Sequence, residues 1–316
     1  MSLIFEMFPI ALGIATPFII CALGGLYSER SGIVNIALEG IMLVGAFAGS
    51  VFTVLLSSTF GDMTPWLALL AGSLAGALYA LIHAYASINL RANQIISGTA
   101  LNMLSTGLTL YLCQLLFQAQ RSPTFEKSFT KVTVPLLSDI PVIGELFFTN
   151  TYPTFYLAIL LVVITYFVIF KTRFGIHLRS CGEFPQASAS MGINVTKIRY
   201  IGVLLSGVLG GVAGCITVLT SNIQFTVTTI NGAGFIALAC LIFGKWNPLG
   251  CLAAGIFFGF SKILATYSGS IPFLSGLPTE FFQAIPYVLT ILALIIFSKK
   301  SVGPKAAGEI YDSGKR

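Results

Sequence analysis

Asn35 and Glu39 stand four residues apart, and Asn93, Gln94, Ser97, Thr99 and Asn102 crowd together at the start of a long apolar run. Helical spacing of three to four places Asn35 over Glu39, and Asn102 and Thr99 near one stripe with either Gln94 or Ile95. Asn222 and Gln224 lie beside Asn231 at another boundary. Amides and hydroxyls offer hydrogen bonds without a fixed charge, which suits a path for a neutral solute rich in hydroxyl and amide groups. Any one of these side chains can equally hold helix to helix. Their clustering selects Asn35 and Asn102 for the solute reading. Glu39 is the one acidic residue placed well inside an apolar run, with Glu280 near a boundary. A carrier driven by protons or sodium ions needs intramembrane carboxylates, and Glu39 alone keeps that alternative open.

Other chemistry is missing. Asp62, Asp139 and Asp312 all fall in loops or the tail, so no aspartyl intramembrane protease can be assembled. His83 and His177 are too few and too far apart for a metal site or a nucleophilic triad. No G-x-x-x-x-G-K-[ST] occurs, which excludes ATP binding through a P-loop. The cysteines at 21, 113, 181, 215, 240 and 251 form no close pair, and most sit in apolar runs as small hydrophobes. The expectation is a chain that is no enzyme and binds no metal or cofactor of its own.

The elements that position these residues are membrane helices. Of 316 residues 56% are hydrophobic and 9% charged, and the mean hydropathy is +0.91. That composition exceeds what a soluble core can use. The fold class is therefore an all-α polytopic membrane protein with about nine (8–10) transmembrane segments. They are drawn at 8–26, 36–57, 66–88, 94–118, 153–170, 200–220, 231–243, 249–266 and 281–298. The seventh is short and flanked by Gly232, Gly234 and Gly244, which marks a broken or re-entrant helix. The stretch from Gly24 to Gly32 is too polar and glycine-rich for a lipid-facing helix. Asn35 and Glu39-Gly40 at the second segment, and Asn231-Gly232 at the seventh, suggest an inverted repeat. Gly207, Gly210, Gly211 and Gly214 are placed for close helix approach. Met1 to Pro9 carries no positive n-region, so the first apolar run is expected to stay.

Thirteen of the 17 basic residues fall on one side when the segments alternate: Arg30, Arg91, Lys171, Arg173, Arg179, Lys197, Arg199, Lys245 and the tail. Arg121, Lys127 and Lys131 fall opposite, and Lys262 is read as snorkelling from the outer end of a span. The basic side is then cytosolic, with the C-terminus inside. The net charge of +6 is a topology signal, not a nucleic-acid footprint. Residues 1–298 read as one transmembrane domain with an external loop at about 119–152, and 299–316 as a cytosolic basic tail. The loop 171–199 carries a short helix, expected over 182–192 with Glu183 and Pro185 in its first turn and Gly192 as its stop. Such an element suits docking of a cytosolic partner.

The run from Gly24 to Gly40, GGLYSERSGIVNIALEG, resembles the signature of permease subunits from ABC importers of nucleosides and simple sugars, within the branched-chain amino acid and ribose permease superfamily. Leu90 to Asn102, Gly234 to Ala239, Ile242 to Gly250 and the loop around Gly182-Glu183 and Gly192 to Val195 agree with it in order. The resemblance implies a partner ATPase that binds ATP and Mg, a second homologous permease (often forming a heterodimer), an external substrate-binding lipoprotein, and the bacterial inner membrane. It implies that Gly182, Glu183, Phe184, Pro185, Ala187, Met191, Gly192 and Ile193 meet the ATPase. Pathway candidates are Asn35, Glu39, Asn93, Gln94, Thr99, Asn102, Asn222 and Asn231. Nucleosides are the expected solute, with riboflavin or a simple sugar as alternatives.

Overall fold

The structure, a computed structural model, describes residues 2–267 other than 136, 139 and 142, together with 281, 284, 288 and 303–312. Its helices are α1 (Ser2–Arg30), α2 (Leu38–Phe60), α3 (Thr64–Ala84), α4 (Gln94–Phe117), α5 (Ile143–Phe147), α6 (Pro153–Lys171), α7 (Arg173–Glu183), α8 (Pro185–Ser190), α9 (Val195–Ser221), α10 (Ala233–Phe243) and α11 (Pro248–Tyr267). Six apolar helical stretches among the described residues are long enough to cross a membrane: Glu6–Arg30, Leu38–Asn89, Gln94–Phe117, Pro153–Lys171, Val195–Ser221 and Pro248–Tyr267. The 52-residue Leu38–Asn89 stretch turns at Gly61, whose φ is +52°, so α2 and α3 pack on each other as separate crossings. Helix α10 has 11 residues, a length of about 16 Å, roughly half the hydrocarbon core. The expected segment 281–298 lies almost wholly outside the described residues.

Helix α9 is the hub, packing against α1, α2 and α3. Lipid is as apolar as leucine, so helices associate in a membrane through close van der Waals contact, and small residues permit it. A Cβ on Gly211 would lie 2.1 Å from the Gly72 carbonyl oxygen, and one on Gly214 would lie 1.8 Å from that of Met42. Helix α4 is the least enclosed of the crossings among the described residues.

The loop 171–199 differs from its expected form. Glu183 closes α7 and does not open the next helix; α8 starts at Pro185. The ring of Pro185 crowds the residue before it, and Phe184 leaves helical space at φ −144°, ψ 84°. Gly192 does stop the segment, at φ +81°.

The 119–152 loop packs across the α9–α10 connection. The Ser122, Phe125 and Phe129 amides donate to the carbonyls of Phe225, Ile223 and Leu219 at 3.1, 2.8 and 3.1 Å. Lys127 adds an ion pair of 2.7 Å to Asp62 at the α2–α3 turn. On the opposite face, residues 303–312 lie back against the helical bundle, with the Ala306 amide donating to the Gly182 carbonyl at 2.8 Å. Arg91 and Arg199 border one cavity beside this segment, and Arg30 donates to the Trp246 carbonyl.

Glycine-mediated packing makes a prediction. Gly211→Leu should destabilise the purified chain by about 1–3 kcal/mol or more. Gly107→Leu, where nothing lies within 4 Å of the added carbon, should leave it unchanged. Thermal unfolding in detergent measures both, and equal midpoints would count against a glycine-set hub.

Candidate solute site

Between Arg30 and Leu38 the chain is not helical, so its backbone needs partners from side chains. Gln94 Oε1 accepts from the Val34 amide at 2.7 Å. His83 Nε2 lies 3.0 Å from the Val34 carbonyl oxygen, and its Nδ1 lies 3.0 Å from Ser97 Oγ. A carbonyl only accepts, so Nε2 carries the proton and Nδ1 accepts from the serine. Asn102 reaches both ways: its Nδ2 donates to the Ile36 carbonyl at 3.0 Å and its Oδ1 accepts from the Gly40 amide at 2.8 Å. Asn35 is fully buried, with Nδ2 donating to Ser206 Oγ at 2.9 Å. These sequence-selected amides hold the break between α1 and α2 in place.

Glu39 does something different. Its two carboxylate oxygens accept from the Gly232 and Gly234 amides, each at 2.7 Å. The anion thus sits at the N-terminus of α10, where unpaired amides and the helix dipole favour negative charge. Gly232 at φ +84° and Asn231 at φ +41° turn the chain into that arrangement. A Cβ on Gly234 would meet the Glu39 backbone at 2.5 Å, so only glycine admits this approach.

Beside the α10 N-terminus lies a cavity of about 250 Å³ between α1, α9, α11 and the α9–α10 connection. Pro17, Phe18, Thr217, Ser221, Asn222, Thr228, Thr229, Asn231 and Lys262 line it. Of the sequence-selected pathway residues, Asn222 and Asn231 meet here. Asn35, Gln94 and Asn102 lie at the break instead. Asn93 caps α4, accepting from the Ile95 and Ile96 amides at 2.9 and 3.2 Å. Thr99 is exposed and bonds the Ile95 carbonyl of its own helix at 3.1 Å.

Lys262 also borders this cavity. It is exposed, and its ammonium sits 5.6 Å from the Phe18 ring centroid on the cavity wall. The signal for it was a basic residue within an apolar span, a costly placement that marks function. Phe18 and the threonines gave no such signal, because nothing in their spacing separates cavity wall from ordinary core. The lining offers neutral donors and acceptors, one aromatic ring and one cation. Its volume falls just under the ~300 Å³ lower end of drug-sized ligand pockets.

On the basic face, Gly182 and Pro185 are buried, while Phe184, Ala187, Met191 and Gly192 are exposed. Glu183 and Ile193 are half-buried. Phe184 and Met191 present an apolar pair, 59% and 82% exposed. Glu29 accepts from the Trp246 indole at 2.5 Å and Arg30 donates to the Trp246 carbonyl at 2.9 Å.

The family described as branched-chain amino acid transport system / permease component matches residues 9–294. The chain is 47% identical over 308 residues to the guanosine ABC transporter permease protein NupQ of Bacillus subtilis, covering 98% of this chain and 97% of that one. It is 48% identical over 301 residues to the nucleoside ABC transporter permease protein NupC of Lactococcus lactis, covering 95% of each. A second Bacillus subtilis protein, the guanosine ABC transporter permease protein NupP, is 26% identical over 289 residues, covering 91% of this chain and 80% of its own length.

The carboxylate cap on α10 is testable without transport. Glu39→Gln puts an amide N–H against one of two backbone donors, and should cost about 1.5–3 kcal/mol. Thermal unfolding in detergent reads the loss; an unchanged midpoint would show that α10 does not depend on Glu39.

Proposed function

Since this chain belongs to the branched-chain amino acid transport system / permease component family, we propose that it forms the membrane path of an ABC importer for nucleosides. The cavity at the α10 N-terminus carries this reading. Asn222, Asn231 and the threonines supply neutral hydrogen bonds for a base edge and ribose hydroxyls, and Phe18 supplies an aromatic surface. The relatives named for guanosine and nucleosides support the same solute class.

The cavity of one chain is small for a nucleoside, so a second permease completes the path. Two Bacillus subtilis relatives at 47% and 26% identity support a diverged partner over a second copy. A cytosolic ATPase holds the ATP and Mg and docks on α8 through Phe184, Ala187 and Met191. An external binding lipoprotein delivers the solute to the side bearing 119–152. The basic face, with residues 299–316, lies in the cytosol of the bacterium, following the bias of lysine and arginine. This chain itself hydrolyses nothing.

Three outcomes are expected of the assembled transporter in proteoliposomes. Asn222→Ala should weaken the apparent affinity for guanosine about tenfold, the effect of losing a buried polar partner. Uptake competed by guanosine but not by ribose or riboflavin fixes the solute class; equal competition by ribose would overturn the nucleoside assignment. Ala187→Trp should abolish solute-stimulated ATP hydrolysis while the chain remains in the membrane. Full stimulation in that variant would remove α8 from the ATPase contact.

A further inference from the structure

Arg199, near the start of α9, is 2% exposed. Its Nη1 donates to the Glu309 carbonyl at 3.1 Å, and its guanidinium lies 5.7 Å from the Tyr311 ring centroid. Its Nε and Nη2 are buried without a hydrogen-bond partner. Among the described residues no carboxylate stands within ion-pair distance of it; the exposed Glu309 carboxylate acts on it only from further away. An arginine stays charged at any physiological pH, so it cannot relieve burial by losing its proton. A buried cation with one carbonyl and one ring for company is destabilising unless an anion joins it.

A second orphan lies in the same place. The Ser87 hydroxyl is 3% exposed and has no partner. Ser87 and Arg199 line one cavity of about 200 Å³, together with Asn89, Arg91, Thr196 and Tyr311. Arg91 gives one guanidinium nitrogen to Asp312 at 3.0 Å and is itself half exposed. Asp312 is thus engaged by Arg91, and Arg199 has no carboxylate at ion-pair distance among the described residues. Thr196 sits in the first turn of the 27-residue α9, where the helix dipole adds to the positive potential.

We propose that this cavity binds a phosphate-type oxyanion. A planar guanidinium and two hydroxyls, Ser87 and Thr196, border the cavity, the kinds of donor that suit a tetrahedral oxyanion. A halide would fill little of the space and accept few of these bonds in a fixed geometry. The phosphate group can come from a free small molecule or from a phospholipid head group. Residues 309–312 contribute the Glu309 carbonyl, the Tyr311 ring and the Asp312 carboxylate to the walls and rim, so anion binding and the docking of this segment depend on each other. The site lies on the basic face and makes no use of the solute cavity, so it goes beyond the transport reading and does not rest on it.

The full chain in phosphatidylcholine nanodiscs tests this in two arms. One titrates inorganic phosphate and reads thermal unfolding. The other replaces part of the lipid by phosphatidylglycerol, without free phosphate, and reads lipid retention by native mass spectrometry. A saturable rise in midpoint in the first arm assigns a free phosphate; selective retention in the second assigns a lipid head group; either supports the site. Ser87→Ala and Arg199→Gln should each weaken the response about tenfold, the loss of one charge-assisted hydrogen bond. Should Arg199→Gln fail to fold, Thr196→Val takes its place beside Ser87→Ala. No response in either arm, or a response unaltered in Ser87→Ala and its companion variant, would overturn the proposal.

Discussion

A membrane offers no water to an unpaired peptide group, and the polar chemistry of this chain follows from that constraint. Wherever a helix breaks, side chains must supply the bonds that the helix no longer makes. The 31–37 break has Gln94, His83 and Asn102 as its partners from α3 and α4, with Asn35 turned inward onto Ser206. The α10 break has Glu39. Asn35, Glu39, Gln94 and Asn102 were conspicuous as polar groups in or beside apolar runs; His83 was not. Most of them serve backbone.

The two breaks are also one structure. Glu39 belongs to the first turn of α2 and binds the first turn of α10. Two short irregular segments at membrane depth are thereby held by a single carboxylate, and the cavity lies directly beside the second. Around them the close-packed α1–α2–α3–α9 hub leaves no space for adjustment, as the glycine contacts show. Motion that opens a path is therefore easier at the tethered segments than within the hub, where contacts are backbone to backbone.

Much of this architecture was legible in the chain. Apolar runs marked eight segments that are helices, the glycines around α10 marked its shortness, and the lysine and arginine bias grouped Arg91 and Arg199, which border one cavity. What stayed hidden has a common cause. Amphipathic spacing distinguishes a lipid face from a packed face, but it does not tell an asparagine that binds a backbone, Asn102, from one that lines a cavity, Asn222. The backbone partners of Asn102 stand 62 and 66 positions away, where no local pattern records them. The α7–α8 boundary was missed for another reason: Glu183 and Pro185 both suit a helix start, and the steric effect of proline on Phe184 decided which helix each joined.

The contacts form a continuous line from the basic face to the cavity. Gly182 at the end of α7 lies so close to the Arg30 carbonyl that a Cβ there would stand 2.3 Å from it. Its own carbonyl binds Ala306, and two residues on, the Gly308 amide donates to Gly32 at 3.1 Å. Arg30 and Gly32 adjoin the break, the break leads to Glu39, and Glu39 holds the amides of Gly232 and Gly234 next to Asn231 on the cavity wall. Every step is a backbone contact or a short hydrogen bond, with no flexible side-chain packing between. If an ATPase drives the chain from α8, as proposed, a displacement entering at Gly182 has little room to dissipate before it reaches α10. Residues 303–312 bridge the same elements from outside, so their docking sets how freely α7 moves against the break. That places the unpaired charge of Arg199, under the same segment, where occupancy by an anion would bear on transport without touching the solute.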